Sequence, residues 1–207
     1  MRLPPLFALS LACLITVPAA AADGDRFPAT LAGHAMLPAA SFVDAPADAP
    51  EDLKVSGKFT TGRRVDQVGT VEGLSNGRPT GLKLPFKGQP RQGHSGIKRM
   101  ADGTFWVLTD NGFGAKANSP DAMLFLSHYR INWDAGTVEP LATVFLHDPD
   151  KKVPFRITHE GTAKRYLTGA DFDPESFQFV GDKIYIGEEF GPFLIRADKS
   201  GKIEQVS

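Results

Sequence analysis

Short alternating runs of apolar and polar residues fill most of the chain, and Gly or Asp residues separate them. In segment 93–112, two apolar runs flank an Asp-Gly dipeptide at 102–103, and the second run stops at the polar pair Asp110-Asn111. This order predicts a β-hairpin, because Asp-Gly supplies the positive φ of a tight turn between antiparallel strands.

A related pattern returns at 173–191, where two apolar runs flank Gly-Asp at 181–182 and the second stops at Glu188-Glu189. This copy is about two residues shorter between its landmarks, a difference that a hairpin loop can absorb. One hairpin cannot bury its own apolar face, so a repeated hairpin unit predicts stacked or radially arranged sheets. We therefore predict a β-propeller.

Two further hairpins are predicted at 123–146 and at 193–206. Helical periodicity is not convincing in any segment. A propeller usually needs at least four blades of about four strands, whereas about ten to twelve strands can be drawn here. The expected fold class is therefore all-β and β-propeller-like but incomplete, with several antiparallel hairpins or blades of a larger propeller. Its first short strand-like pieces contain Phe59, Val65, Val68, Val71 and Leu74.

The N-terminus has the three-part order of a secretory signal peptide. Arg2 precedes an apolar stretch at 6–17, and small residues follow at 19–22. About twelve apolar residues fall short of the roughly 20 that cross a bilayer, so we expect cleavage near Ala22 and no stable membrane span. This predicts a periplasmic or secreted protein.

Composition divides the chain into three segments. After the predicted signal peptide, 1–22, segment 23–52 is rich in Ala and Pro and is expected to be a linker or a loosely held first strand. Segment 53–207 is then the propeller portion, truncated at its C-terminus.

Charge and cysteine content remove several function classes. The chain has 23 Lys and Arg against 24 Asp and Glu, a net charge of −1, whereas nucleic-acid binding usually needs a basic face. The one cysteine, Cys13, lies in the predicted signal peptide. A cysteine nucleophile and a zinc–cysteine site are therefore excluded for the mature domain.

The chain resembles a known family through four motifs in a fixed order: GHSGI, DGTFWVLTDNGFG, DFDPESF and IYIGEEFGPFLIRADKSGKI. They are similar to the phytase-like domain of the family called esterase-like activity of phytase, over roughly 68–207. The resemblance implies a secreted or periplasmic propeller-like protein whose recurring Asp and Glu residues form a hydrolytic site for phosphate esters. It also implies a longer complete protein, of which this sequence is an N-terminal portion.

Acidic side chains at the strand ends are the first candidates for chemistry. Asp110 and the pair Glu188-Glu189 follow equivalent strands, so a propeller would bring them to one mouth. A simple count puts Glu175 at the opposite end of its hairpin, unless an inner strand that starts at the ligand face brings it to the same mouth. We expect Asp110, Glu175 and Glu188 to be catalytic and these three with Glu189 to bind a metal. Hard oxygen ligands suit Ca²⁺ or Mg²⁺, and Ca²⁺ is the expected cofactor. The alternative is that these residues are solvated strand-ending turns.

A second set of residues is expected to contact substrate. His94 and Ser95 are neighbours on a strand and point to opposite faces, so they do not form a nucleophilic dyad. The loop before the second repeat is positively charged, which suits a phosphate, although solvated loop charges are the alternative. The predicted substrate-binding residues are His94, Ser95, Asn111, Arg156, His159 and Arg165.

Two functions from different classes remain open. The first is a secreted phytase-like hydrolase that acts on phosphate esters or other esters of small molecules, assisted by a metal. The second is a non-catalytic propeller that binds a ligand or a protein partner at the same acidic mouth. Fold alone does not separate them.

Overall fold

The structure is a computed structural model that describes residues 27–207, so the predicted signal peptide lies outside the described residues. The chain divides into two compact units, 1–32 and 33–207. In the first unit, residues 27–32 have irregular backbone. The sheets of residues 27–207 all lie in the second unit. Within residues 27–207, none of the helices has the length and apolarity needed to span a membrane.

The elements of residues 27–207 are fourteen strands and two 3-10 helices, Glu51–Lys54 and Lys116–Asn118. The strands are β1 (Phe42–Val43), β2 (Val55–Ser56), β3 (Val71–Ser75), β4 (Arg78–Leu84), β5 (Phe86–Lys87), β6 (Gln89–Pro90), β7 (His94–Arg99), β8 (Phe105–Thr109), β9 (Phe125–Asn132), β10 (Thr137–Phe145), β11 (Pro174–Val180), β12 (Lys183–Glu188), β13 (Leu194–Asp198) and β14 (Ile203–Val206).

Two four-stranded antiparallel sheets dominate this unit. In the first sheet the strand order is β10-β9-β8-β7, and in the second it is β11-β12-β13-β14. Each sheet is a meander of consecutive strands, which is the form of a propeller blade. The four predicted hairpins are confirmed as β7–β8, β9–β10, β11–β12 and β13–β14. The predicted fold class is also confirmed, because these residues form an all-β, propeller-like arrangement without a closed ring.

The segment before β7 forms three small two-stranded pairings, β1–β6, β2–β5 and β3–β4. The prediction of strand pieces at Phe59, Val65 and Val68 was wrong, because residues 57–70 form turns. The Val65 N–H, for example, donates to the carbonyl of Lys58, which closes a loop rather than a ladder. Residues 42–54 contain β1 and a 3-10 helix, and Leu53 of this stretch is fully buried.

The main core lies between the two sheets. Strand β11 lies against β7 and β8, so the first strands of both sheets are neighbours. Leu108 and Leu126 of the first sheet pack in one cluster with Ile186 and Ile195 of the second, all fully buried. The connection 146–172 adds further apolar side chains to the cluster: Leu146, Val153, Ile157, Leu167 and Phe172. This shared core fixes one sheet against the other, and with it the relative positions of their loops.

Candidate functional site

The candidate site lies where each sheet's first strand begins and its second strand ends. His94 pairs with Thr109 in the first sheet, and Pro174 pairs with Glu188 in the second. In an antiparallel hairpin the start of one strand lies opposite the end of the next. The simple count that placed Glu175 at the far end of its hairpin was therefore wrong, because Glu175 follows Pro174 at the same end as Glu188.

Both first strands have a register shift at their second residue, Ser95 in β7 and Glu175 in β11. A bulge of this kind bends the strand and redirects a side chain, and bulges are frequent beside functional sites. Ser95 and Glu175 therefore occupy equivalent positions in the two sheets.

Each hairpin is closed by one backbone hydrogen bond, and the two bonds occupy equivalent positions. The Asp110 N–H donates to the Gly93 carbonyl at 2.7 Å, and the Glu189 N–H donates to the Asp173 carbonyl at 3.0 Å. Asp110 thus corresponds to Glu189, and Gly93 corresponds to Asp173. The repeat predicted from the sequence is therefore present in the structure. Its alignment differs by one residue, because Asp110 corresponds to Glu189 and not to Glu188.

Three carboxylates meet at this end of the second sheet: Asp173, Glu175 and Glu189. Each offers one oxygen atom, and these three atoms lie within 4.8 Å of one another. Asp173 is buried, Glu175 is half-buried and Glu189 is exposed, so the group has a fixed base and an open side. We call these three residues the acidic cluster.

Asn111 of the first sheet's loop holds Asp173 in place. Its backbone N–H donates to Asp173 Oδ1 at 3.0 Å, and its Nδ2 donates to Asp173 Oδ2 at 2.5 Å. The Asn111 Oδ1 accepts the Gly114 N–H at 2.7 Å, which fixes the orientation of the amide. Gly169 packs directly on the Asn111 backbone and leaves no room for a Cβ atom there. Both carboxylate oxygens of Asp173 are therefore oriented by hydrogen bonds from the loop that follows β8.

Asp110 approaches the acidic cluster from the first sheet. Its Oδ1 accepts the Gly112 N–H at 2.7 Å, and its carboxylate occupies the space where a Cβ of Gly93 would project. Gly93 has a φ of +60°, which favours glycine as well. Burial raises the pKa of Asp110 and the charge of Asp173 adds to this rise, while the Gly112 N–H and His94 oppose it.

The pKa of Glu175 is raised as well. Burial is the main cause, hydrogen bonding from Ser95 opposes it, and the charges of Asp173, Glu189 and Asp110 add to it. A raised pKa from like charges means that these carboxylates repel one another, and a cation between them would remove that repulsion.

The acidic cluster fits a hard divalent cation. Its donors are carboxylate oxygens, which Ca²⁺ and Mg²⁺ prefer over softer ligands. Asp173 is oriented by Asn111, and oriented ligands of this kind are typical of metal sites. The donor set and its mutual repulsion both agree with a cation at Asp173, Glu175 and Glu189.

Glu188 lies outside the acidic cluster. Its Oε2 accepts the Phe190 N–H and its Oε1 accepts the Gly191 N–H, both at 2.9 Å. The carboxylate therefore orders the turn that follows β12 and faces away from its neighbour Glu189. In this turn the Phe190 ring also meets Lys116, whose Nζ is 4.4 Å from the ring centroid.

His94 and Ser95 diverge, as expected for neighbours on a strand. The His94 ring packs edge-on against Tyr129 at a centroid distance of 5.9 Å, whereas Ser95 contributes to the environment of Glu175. Burial against this ring lowers the pKa of His94, with Asp110 opposing and Arg91 adding to the shift, although part of the residue remains exposed. Of this pair, Ser95 is the residue beside the acidic cluster.

The residues predicted to contact a phosphate have other surroundings in the structure. Arg165 is only 2% exposed, and its guanidinium pairs with Asp148 at 3.0 Å and with Glu160 at 2.5 Å. His159 lies near the Pro120 carbonyl, with Nε2 to oxygen at 3.3 Å, and Arg156 is exposed in the loop. The substrate-binding roles of Arg156, His159 and Arg165 stay predictions, and these contacts do not support them.

Sequence reasoning brought Asp110, Asn111, Glu175 and Glu189 to the site but missed Asp173. The signal was present, because Asp173 is the third residue of the quoted motif DFDPESF and precedes Glu175 by two residues. Its role depends on Asn111, which is 62 residues earlier in the chain, so the pattern around it did not single it out.

Residues 89–207 match the family model described as phytase-like, esterase-like activity of phytase. The match covers both four-stranded sheets, the acidic cluster and Asn111, and it confirms the resemblance seen in the four motifs. Neither the curated proteins nor the solved structures gave a match.

Proposed function

From the premise that this chain belongs to the phytase-like family, described as esterase-like activity of phytase, we propose that it hydrolyses phosphate esters of small molecules with the help of a divalent cation. The observation that carries this proposal is the acidic cluster, in which three carboxylate oxygens lie within 4.8 Å of one another. Ca²⁺ is the first cation to test, because carboxylates are its usual ligands.

In this proposal Asp173, Glu175 and Glu189 hold the cation. A bound divalent ion supplies charge stabilisation for a phosphoryl group under attack by water. Asn111 keeps Asp173 in one orientation through two donated hydrogen bonds. Glu189, on the exposed side, leaves the cluster accessible from solvent.

Asp110 is the residue to which we assign proton transfer. It lies beside the acidic cluster and has one hydrogen-bond donor on its carboxylate, the Gly112 N–H. Burial raises its pKa, so a larger fraction of this carboxyl group is protonated than in an exposed aspartate. Asp110 would give that proton to the oxygen of the leaving alcohol as the P–O bond breaks, while the attacking water, on the opposite side of the phosphorus, loses a proton to solvent.

The test is an activity screen of the purified chain on a phosphomonoester, a phosphodiester and a carboxylic ester, with Ca²⁺, with Mg²⁺ and with a chelator. We expect phosphomonoester turnover that the chelator removes and Ca²⁺ restores. We also expect Ca²⁺ to raise the Tm, because a ligand selective for the folded state stabilises that state.

Two neighbouring glutamates provide a matched pair of variants. Glu189→Gln should remove the Ca²⁺ response and turnover, whereas Glu188→Gln should alter the turn and retain a Ca²⁺ response. Glu139→Gln, on an exposed position of β10 paired with Arg130, controls for the loss of one negative charge. A Ca²⁺-dependent Tm without turnover of any ester would favour the non-catalytic binding protein instead.

We also propose that the protein is exported to the periplasm or secreted. The support is the order of Arg2, the apolar stretch 6–17 and the small residues 19–22. N-terminal sequencing of the protein from a cell that expresses the full chain tests this. A first residue near Asp23 agrees with export, and an intact Met1 in the cytoplasmic fraction contradicts it.

A further inference from the structure

A cavity of about 650 Å³ lies beside Asp110. Its walls include the β3–β4 hairpin on one side and the backbone at Gly93 and Gly112 on the other. These two glycines flank the Asp110 carboxylate, since Gly112 donates a hydrogen bond to it and Gly93 leaves the space that it fills. Gln92 Nε2 donates to the Gly112 carbonyl at 2.6 Å and joins the two glycine segments. Asp110 itself does not line the cavity, but its carboxylate lies against these two glycines of the wall, so the residue that we assign to proton transfer is a neighbour of the cavity.

The hairpin side of this cavity has an apolar part, next to the polar residues Glu72, Ser75 and Thr80. Val71, Leu74 and Leu82 come from the β3–β4 hairpin, and Phe86 and Phe113 come from the body of the unit. Leu74 is 61% exposed, which leaves apolar surface that a ligand could cover. Burial of such surface is a source of binding free energy.

The charged side chains of the lining are few. Among the described lining residues, Arg91 is the one cation and Glu72 the one anion. The Arg91 guanidinium already donates to Ser127 at 2.7 Å and to Thr143 at 3.0 Å. A molecule with several phosphates needs several cations around it, and this cavity does not provide them.

We infer that this cavity binds the apolar alcohol part of a phosphate monoester, so that an aryl or alkyl phosphate is a better substrate than a polyphosphorylated polyol. This inference rests on the proposed function, because it assigns the phosphate to the acidic cluster and the leaving alcohol to the cavity. The leaving group then lies on the Asp110 side of the reacting phosphorus.

Kinetics with three substrates tests the inference: 1-naphthyl phosphate, glycerol phosphate and inositol hexakisphosphate, each with Ca²⁺. We expect the highest kcat/KM for 1-naphthyl phosphate. Leu74→Ser should raise the KM for 1-naphthyl phosphate roughly fivefold, which corresponds to partial loss of one leucine contact, and should raise the KM for glycerol phosphate by a smaller factor, because glycerol has little apolar surface. Leu82→Ser provides a second change on the facing strand, with the Tm of each variant as a check of folding.

Leu194→Ser is the matched control, because Leu194 is also exposed, at 48%, and lies at the start of β13 on the second sheet. It should leave the KM for both monoesters unchanged. Equal kcat/KM values for the three substrates, or equal effects of Leu74→Ser and Leu194→Ser, would overturn the inference while the hydrolase proposal stands.

Binding of 1-naphthol, followed by its own fluorescence, tests the cavity without catalysis. We expect saturable binding to the wild-type chain that Leu74→Ser weakens by roughly fivefold and Leu194→Ser does not. Such binding without hydrolysis of any ester would support the apolar site and overturn the hydrolase proposal. Absence of naphthol binding would overturn the apolar site.

Discussion

The sheets β7–β10 and β11–β14 share one strand order and one core, but they differ on the faces that point away from that core. The far face of the first sheet has apolar side chains at Val107, which is buried, and Ile97, which is 67% exposed, beside the uncharged polar residues Ser127 and Thr143. The far face of the second sheet is charged, and Glu204 pairs there with Lys183 at 2.6 Å and with Arg196 at 3.3 Å. Successive residues of a strand alternate between the two faces of the sheet. The faces that share the core determine how the two sheets pack, whereas the residue types on the far faces can differ.

The same contrast holds at the strand ends. Equivalent positions have Ser95 in the first sheet and Glu175 in the second, and the equivalents of Gly93 and Asp110 are Asp173 and Glu189. The second sheet supplies three carboxylates, whereas the first supplies one carboxylate and the amide of a neighbouring residue. The repeat thus sets where side chains lie, and residue identity decides which sheet carries the acidic cluster.

The largest effect should come from breaking the shared face. Ile195→Ala should lower the free energy of unfolding by about 2–5 kcal/mol, because it leaves a cavity in the core, whereas Arg196→Ala on the far face should cost less than about 1 kcal/mol. Urea denaturation of both variants measures this. Similar losses for the two neighbours would contradict the division between faces.

The equivalent bulge positions provide the next test. Glu175→Gln should reduce phosphomonoester turnover by roughly 100-fold and remove the Ca²⁺-induced rise in Tm, since it deletes one proposed ligand. Ser95→Ala should change turnover by less than roughly fivefold, because it removes only a hydrogen bond to that ligand. Steady-state kinetics and thermal melts, with and without Ca²⁺, measure both effects. Comparable losses in the two variants would place the chemistry in both sheets.

The contribution of the first sheet is tested at Asn111. Asn111→Ala should weaken Ca²⁺ binding roughly tenfold, because loss of an orienting hydrogen bond typically costs 10–100-fold in metal affinity. Calorimetric titration with Ca²⁺ measures the affinity, and Asn118→Ala, on the same loop, is the control. An unchanged affinity would show that the second sheet orients Asp173 by itself.

The smallest effect concerns the connection between the two sheets. The Tyr166 O–H donates to Asp48 Oδ1 at 2.7 Å, and this hydrogen bond is the main reason why the pKa of Asp48 is lowered. A lowered carboxyl pKa means that the stabilisation is present above pH 3.8 and is lost as the pH falls through the lower folded value. Tyr166→Phe should therefore reduce the Tm by roughly 2 °C at neutral pH.

The difference in Tm between Tyr166→Phe and the wild-type chain should narrow below pH 3.8, the ordinary pKa of an aspartate. Burial raises the pKa of Tyr166 itself, so the hydrogen bond should persist in mildly alkaline solution. Thermal melts across this pH range follow the difference. A Tm difference that stays constant in acid would mean that the stabilising effect of Tyr166 does not depend on the ionised carboxylate of Asp48.

The hairpins were predictable because their signals are local. Turn dipeptides such as Asp102-Gly103 stand between alternating runs, and each predicted hairpin of the two sheets is present. The β1–β6 and β2–β5 pairings were not predictable, because β1 and β2 have two residues each and pair with strands much later in the chain. Short runs of this kind carry no periodicity that could be recognised.

The site was predictable only in part, for a similar reason. Asp110 and Glu189 end strands and were found by position, but Asp173 is recognised through Asn111, a contact between different sheets. Arg165 was predicted to contact substrate, with a solvated loop charge as the alternative, and it is instead buried in a pair with Asp148. Single-sequence patterns show where a strand ends, whereas partners of this kind depend on tertiary packing.

The glycine at position 93 has a consequence for anyone who would build a protein from copies of this unit. An aspartate there, as the second unit has at its corresponding position, would collide with the Asp110 carboxylate. The second unit accommodates its aspartate because the residue equivalent to Asp110 is Glu189. A designer who copies the acid-bearing unit would therefore have to exchange both positions together, since replacement of the glycine alone would create a clash inside the unit.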